Sequence, residues 1–474
     1  MQSNPFRLDG VLASHSGRTV QSHAEYVNPA YAQMLRTIGF DADYVRGYGA
    51  YLFDAEGQRY IDCLGGYGVY ALGRNHPGIG RAIQDAIGSD LPSLPGIGPF
   101  RLAGALAEEL VRIAPDGLGK VYFCNSGTEG VEAAIKMARR ATGNRRVIFC
   151  DRAYHGLTLG ALSINGNDEF RDGFGPLSEF TTRIPFNDLA ALESALSAGD
   201  VAAFIVEPIQ GKGVNIPDND YLQNALKLCH RHKALLIVDE VQTGIGRTGK
   251  MFACEHWGIE PDIMVIAKAL GGGYIPSGAV LMKDWICNRV FSSMSRCCVH
   301  QVTFGMNDLA MVAGLATLHY IREERIVEHT ASVGESLLAH LRSRLQPYEM
   351  VKSVRGKGLM VAIEFGPPRS PGLRVGWELL HKMDQSLFCQ AILMPLLSDH
   401  RILAQVAGHR LDVIKLIPPL VLSENDAIEI AKAFEATVAA CHRFPGPAWE
   451  VGRKLGTAAM KRFGHQNAPA GAAS

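Results

Sequence analysis

The chain has 474 residues, of which 47% are hydrophobic and 20% charged, a composition that excludes a largely disordered protein. Forty-seven basic residues balance 47 acidic ones, so no net positive field is available to hold nucleic acid. No apolar run approaches the roughly 18 residues of a membrane span, the N-terminal stretch lacks a hydrophobic signal core, and the ten cysteines form no CxxC pair, so a soluble cytoplasmic protein with reduced thiols is expected.

Taken in chain order, residues 44–62 read as a small hairpin-bearing unit turning at Asp54-Ala55-Glu56-Gly57. Five short apolar runs follow, at 121–124, 146–150, 201–207, 234–240 and 263–268. Runs so uniformly apolar predict strands buried on both faces, hence a parallel sheet between helix layers. Between the first two, Val131, Ala134, Ile135 and Ala138 mark one stripe of a helix over 128–141. The helix beginning near Tyr221 ends in Cys229-His230-Arg231-His232, which lacks four-ligand spacing, so no metal site is expected. A doubly wound, mainly parallel α/β domain is therefore predicted over 76–324. Residues 1–75 and 325–445, the latter with a strand pair around Val354 and Val361-Ala362-Ile363, are expected to form a smaller α+β domain together. Residues 446–474 read as a helix from Trp449 to Phe463 and a disordered tail.

Ligands of open α/β sheets bind at the carboxyl ends of the strands, and chemistry-bearing residues stand there. After the first run, Ser126 and Glu129 fit a capping box, and Gly127 lets a phosphate approach the free N–H groups of the helix start. Tyr154, His155 and Gly156 follow the second run, Glu207 ends the third, and Asp239 and Glu240 end the fourth. Buried carboxylates are costly unless hydrogen-bonded or paired with a cation. Lys268 closes the fifth run. Desolvation there lowers a lysine towards a nucleophilic amine of the Schiff-base kind, while an ion pair with Asp239 or Glu207 is the alternative. Gly244-Ile245-Gly246-Arg247-Thr248-Gly249 matches GxGxxG with Asp262 beyond it, but five residues separate it from the strand and no amphipathic helix opens at Gly249, so dinucleotide binding is not expected.

These residues resemble the class III aminotransferases, the acetylornithine- and ornithine-aminotransferase-like enzymes that use pyridoxal 5′-phosphate in the type I fold. The resemblance runs from about Tyr26 to Ala440 and is carried by 235–273 (LLIVDEVQTGIGRTGKMFACEHWGIEPDIMVIAKALGGG), FCNSGTEGVEAAIK at 123–136, YHG at 154–156, EPIQG at 207–211 and HQVTFGMN at 300–307. It implies that Lys268 holds the cofactor as a Schiff base and later shuttles a proton. It further implies that Asp239 keeps the pyridine nitrogen protonated, that Tyr154 stacks on the ring and that Gln242 bonds its phenolic oxygen. Ser126, Gly127 and Thr128 would hold the phosphate with Thr303 of a second subunit, Glu207 would support the pocket, and the working unit would be a homodimer, with pairing into a tetramer as the larger alternative.

Departures from that pattern bear on the substrate. Where ornithine-type enzymes follow the aromatic-x-Gly motif with a carboxylate-gripping arginine, this chain has Leu157. Lys212 stands at the usual gate glutamate, and Lys415, ahead of Pro418-Pro419, replaces the gate's arginine partner, without its bidentate fork. The expected donor is an ω-amine or a bulky, less polar amine, with a keto acid or aldehyde as acceptor. Lys415 and Arg401 are the candidates for an amino acid's carboxylate. Aminomutase, racemase or decarboxylase chemistry on the same fold is the alternative.

Overall fold

The computed structural model describes residues 5–93, 98–408 and 412–443, with Gly446 and Trp449. A seven-stranded sheet organises the middle of the chain. Its strands are, in chain order, β1 (Lys120–Cys124), β2 (Arg146–Cys150), β3 (Thr181–Ile184), β4 (Val201–Val206), β5 (Leu235–Asp239), β6 (Ile263–Ile266) and β7 (Gly278–Met282). They lie in the spatial order β1-β7-β6-β5-β4-β2-β3. All neighbours are parallel except β7, which runs antiparallel to both β1 and β6. Successive residues of these strands enter two separate apolar layers, as the pleat requires. Val147, Phe149, Ala203, Ile205, Ile237 and Val265 face one layer; Ile148, Phe204, Leu236, Val238 and Met264 face the other.

Helices cover both faces. The helix Gly127–Thr142 buries Val131, Ala134, Ile135 and Ala138 as its stripe predicts, and adds Ala133, Met137 and Ala141. It stops where Gly143 takes up the left-handed conformation at φ 80°. The helix Tyr221–Arg231 ends with Cys229 buried and His230 bonded to Asp262. Asp262 also accepts from Lys283 Nζ and the Leu236 amide, so its oxygens serve this corner of the fold. No cluster of three or more metal-ligating side chains occurs among the described residues.

The two flanks of the chain meet. The antiparallel strands Tyr44–Tyr48, Tyr51–Asp54 and Arg59–Asp62 take Ile402–Leu403 as a fourth, parallel strand, with Ile402 opposite Ile61. A second antiparallel sheet joins Val351–Lys357, Met360–Phe365, Val413–Leu416 and Gln405–Ala407. The helices Ile326–Leu345 and Glu424–Cys441 bury Leu337, Leu341, Ile430 and Phe434 in the same core. Most of the helix expected over Trp449–Phe463, and the tail after it, lies outside the described residues. Trp449 itself is buried, with Nε1 donating to Cys441 O at 2.8 Å. No helix among the described residues is long and apolar enough to cross a membrane.

Candidate active site

The carboxyl ends of β1, β2, β4, β5 and β6 converge on one region. After β1, Ser126 caps the helix Gly127–Thr142 by accepting from Glu129 N at 3.3 Å. Glu129 does not complete the reciprocal box: its Oε2 accepts from Asn125 N at 2.7 Å instead of the Ser126 amide. The amides of Gly127 and Thr128 take no partner among the described residues, leaving two donors aimed along the helix dipole. A Cβ at Gly127 would come within 2.7 Å of the Val241 side chain, so only glycine permits this approach of helix start to the β5 loop. Gly156, at φ 123°, packs so closely on Thr128 that a Cβ there would collide with Oγ1.

After β2, His155 is fully buried and its Nδ1 lies 2.7 Å from Asp239 Oδ2. The other Asp239 oxygen accepts from Val241 N at 3.0 Å. Burial pulls the His155 imidazole down, but the hydrogen bond and charge of Asp239, with Glu207 behind them, outweigh it and raise the pKa. The Nε2 of His155 is buried without a partner among the described residues. Glu207 accepts from Tyr154 N at 2.9 Å and Gly211 N at 2.6 Å, which ties the ends of β2 and β4 together. Burial pushes its carboxyl up, His155 and the two amides oppose this, and Asp239 adds to it. The sequence reading placed His155 at the mouth of the sheet without a role. A buried acid at the end of β5 demands a partner, and the only signal for it was the imidazole beside Tyr154.

Lys268 follows β6 by two residues and turns into the left-handed region at φ 46°. A side chain with a Cβ costs on the order of 1 kcal/mol there, and such strain is typical of positions held for function. Its Nζ makes no hydrogen bond or ion pair among the described residues, so neither Asp239 nor Glu207 pairs with it directly. Burial lowers its pKa; the two carboxylates oppose the shift and Arg247 reinforces it. Gln242 stands over the same space, with Nε2 donating to Tyr67 O at 3.0 Å. The arrangement brings together a partly buried amine without a partner among the described residues, a carboxylate backed by an imidazole, and a helix start with two free amides.

Residues 34–438 match the family Aminotransferase class-III. The chain belongs to the class III aminotransferases. Aminotransferase PigE of Serratia sp. (strain ATCC 39006) is 35% identical over 91% of this chain, and the chain spans about half (54%) of that relative's length. Among solved structures, the ornithine aminotransferase from Toxoplasma gondii superposes with a TM-score of 0.80 at 28% identity, over 93% of this chain and 100% of that one. An amine transaminase from an uncultivated Pseudomonas species, solved in the PLP-bound form, gives 0.73 at 30% identity, over 84% and 95%.

The cofactor of class III aminotransferases is pyridoxal 5′-phosphate, and the residues present fit it. The free amides at Gly127 and Thr128 suit its phosphate, Asp239 suits a protonated ring nitrogen, and the unpaired Lys268 amine suits its aldehyde. Tyr154 is 37% exposed, its ring set edge-on to Phe170 at 5.6 Å. Thr303 is exposed on its loop, apart from the Lys268 group within this chain.

At the positions where this class III chain departs from the ornithine-type pattern, the side chains go separate ways. Leu157 is 50% exposed just beyond Gly156. Lys212 pairs with Glu169 and lies 5.3 Å above the Phe170 ring, away from Lys415. Lys415 is buried, with Nζ donating to Gly211 O at 2.9 Å and Gln242 Oε1 at 3.3 Å. Arg401 is exposed at φ 54°, its carbonyl accepts from Ile61 N at 2.9 Å, and its charge lies by the Tyr60 hydroxyl. Among the described residues its side chain bonds nothing, because the chain turns sharply there to enter the strand Ile402–Leu403 and leaves the guanidinium at the surface.

Glu240 offers a direct test of the region's electrostatics. It accepts from Cys254 N at 2.7 Å and from the Thr243 hydroxyl, yet burial pushes its pKa from 4.5 up to about 7. The folded state therefore holds more protons than the unfolded one between those values, and this group's contribution to stability is lost as pH rises from about 4.5 to about 7. Glu240→Gln keeps an acceptor for Cys254 N and should flatten that slope, with a higher melting temperature than the parent above pH 7. Melting curves with the same pH dependence in both proteins would contradict the assignment.

Proposed function

We propose that this chain is a pyridoxal-phosphate-dependent aminotransferase that takes an amino group from an ω-amine or a bulky, weakly polar amine and passes it to a keto acid or aldehyde, in two half-reactions of a ping-pong cycle. The single observation that carries this reading is the unpaired, desolvated amine of Lys268 facing the His155-backed carboxylate of Asp239. When bound, pyridoxal phosphate supplies an electron sink for a carbon that loses a proton. The rest is done by the chain. The Gly127 and Thr128 amides hold an anionic group, Asp239 holds a proton on a ring nitrogen, and the Nζ of Lys268 accepts and returns a proton at the substrate carbon. One further feature supports the finer reading of a homodimer: Thr303, exposed on its own loop, is free to complete a second subunit's phosphate site.

The choice of substrate rests on Leu157. A leucine presents no charge to a distal carboxylate, and its half-exposed methyl groups favour an apolar body by about 1–3 kcal/mol. The ion pair of Lys212 with Glu169 leaves neither side chain open to mimic the usual gate. The test is a donor panel without acceptor: productive donors convert the yellow protein to its amino-loaded form and release a carbonyl product. An aminomutase or racemase would release none. Leu157→Arg should shift kcat/KM towards donors with a distal carboxylate by roughly tenfold or more. An unchanged donor profile in Leu157→Arg would remove the basis for a less polar substrate.

A further inference from the structure

Lys415 is a buried ammonium on the strand Val413–Leu416, paired in register with Ala362 on one side and Gln405 on the other. It is 5% exposed, and among the described residues it has no carboxylate in ion-pair range. Its two bonds go to neutral oxygens, the Gly211 carbonyl and Gln242 Oε1. Burial pulls its pKa down to about 7, with Lys268 and Arg247 adding to the depression and Glu207 opposing it, so the amine lies within the field of the same charges that surround Lys268. With two of its three N–H donors held by neutral oxygens and little of its surface open, this ammonium is poorly disposed to receive a substrate carboxylate.

The bond to Gln242 has a consequence for which way round that amide sits. A glutamine amide presents an acceptor on one side and two N–H donors on the other. With Lys415 Nζ on the Oε1 side, a flipped amide would set N–H against N–H, and its oxygen would then face the Tyr67 carbonyl that Nε2 now meets at 3.0 Å. One amide hydrogen is taken by Tyr67 and the second is left over, directed away from both. Gly211 completes the seat: a Cβ there would lie 2.6 Å from Oε1, so the amide could not occupy this position beside any larger residue.

We propose that Lys415 is a positioning residue whose ammonium fixes the orientation of the Gln242 amide, so that its remaining N–H is held ready for the phenolic oxygen of the cofactor. Lys415 thereby links the C-terminal sheet, the loop after β4 and the loop after β5 at one point. This inference rests on the pyridoxal phosphate reading above, and it gives Lys415 a task other than carboxylate capture.

The experiment uses full-length apoprotein reconstituted with pyridoxal phosphate. Cofactor affinity and the pH midpoint of its visible band are measured for the parent, Lys415→Met, Gln242→Ala and the double variant, alongside KM for a carboxylate-bearing partner. Met preserves length and packing and removes only the donor. Lys415→Met is expected to weaken cofactor binding roughly fivefold to tenfold and to move the band's midpoint. In the Gln242→Ala background the same change should alter affinity by less than about twofold, because the two residues act as one unit. Lys415→Gln, which keeps an N–H donor, should lie between parent and Met, and it serves as the readout if the Met variant does not fold. Equal effects in both Gln242 backgrounds would overturn the proposal. So would unchanged cofactor affinity with a raised KM for the carboxylate partner. A parent protein that takes up no cofactor would instead overturn the enzymatic reading and this one with it.

Discussion

Lys268→Ala should lose turnover by on the order of 10³-fold or more, the range in which positioned proton-transfer groups contribute, while its melting temperature stays equal to or above that of the parent. The two halves of this expectation have separate causes. Alanine also carries a Cβ, so the left-handed backbone at φ 46° is strained equally in both proteins and adds nothing to the difference. The lost side chain is a partly buried amine with no hydrogen-bond partner among the described residues, its pKa lowered by desolvation, so removing it relieves the fold of an uncompensated group. What disappears is, among the described residues, the one free amine facing Asp239 and Glu207; Lys415 is held at Gly211 and Gln242 and cannot replace it. Borohydride treatment of the parent should fix the cofactor to the peptide containing Lys268, and the variant should yield none of that adduct. Small primary amines added to the variant should restore part of the rate, since they bring back a base without the tether. A variant that turns over within about tenfold of the parent would mean that another group performs the proton transfer.

Much of this site was legible before any coordinates, and the reason is local. Strands buried on both faces cannot alternate, so 201–207, 234–240 and 263–268 announce themselves as apolar runs, and a charged residue closing such a run is conspicuous. Lys268, Asp239 and Glu207 become candidates that way. Relationships across the sheet were not legible. His155 meets Asp239 because β2, β4 and β5 are neighbours, an order that periodicity does not encode. The strand Gly278–Met282 passed unnoticed because Gly278 and Ala279 dilute its apolar signal, and its antiparallel direction between β1 and β6 is set by packing alone. Lys212 and Lys415 looked like two halves of a gate because both stand where relatives carry its partners. Only the surroundings reveal that one is drawn to Glu169 and the other to Gly211 and Gln242. Arg401 was proposed on the same grounds, and the sequence could not show that the backbone turn there leaves its side chain exposed.

Asp239→Asn should lower kcat by roughly 10²–10⁴-fold with little change in fold, and it isolates charge from shape. Asparagine has nearly the same volume and retains an oxygen for the Val241 amide, so the turn after β5 stays in place. It cannot hold a proton on a ring nitrogen, which needs a full negative charge in a site where Asp239 is only 4% exposed. His155 reports the same substitution from the other side. Its pKa is raised because the hydrogen bond and charge of Asp239 overcome burial, so a neutral amide at position 239 should let the imidazole fall back below its ordinary value. Nitrogen-15 titration of His155 would read that drop directly, independently of turnover. Reconstitution with a cofactor analogue methylated at the ring nitrogen supplies a fixed positive charge in place of the proton. If charge retention is the role of Asp239, this analogue should recover much of the lost rate in Asp239→Asn. Equal impairment with both cofactors, or an unshifted His155 titration, would assign Asp239 a purely steric place in the loop.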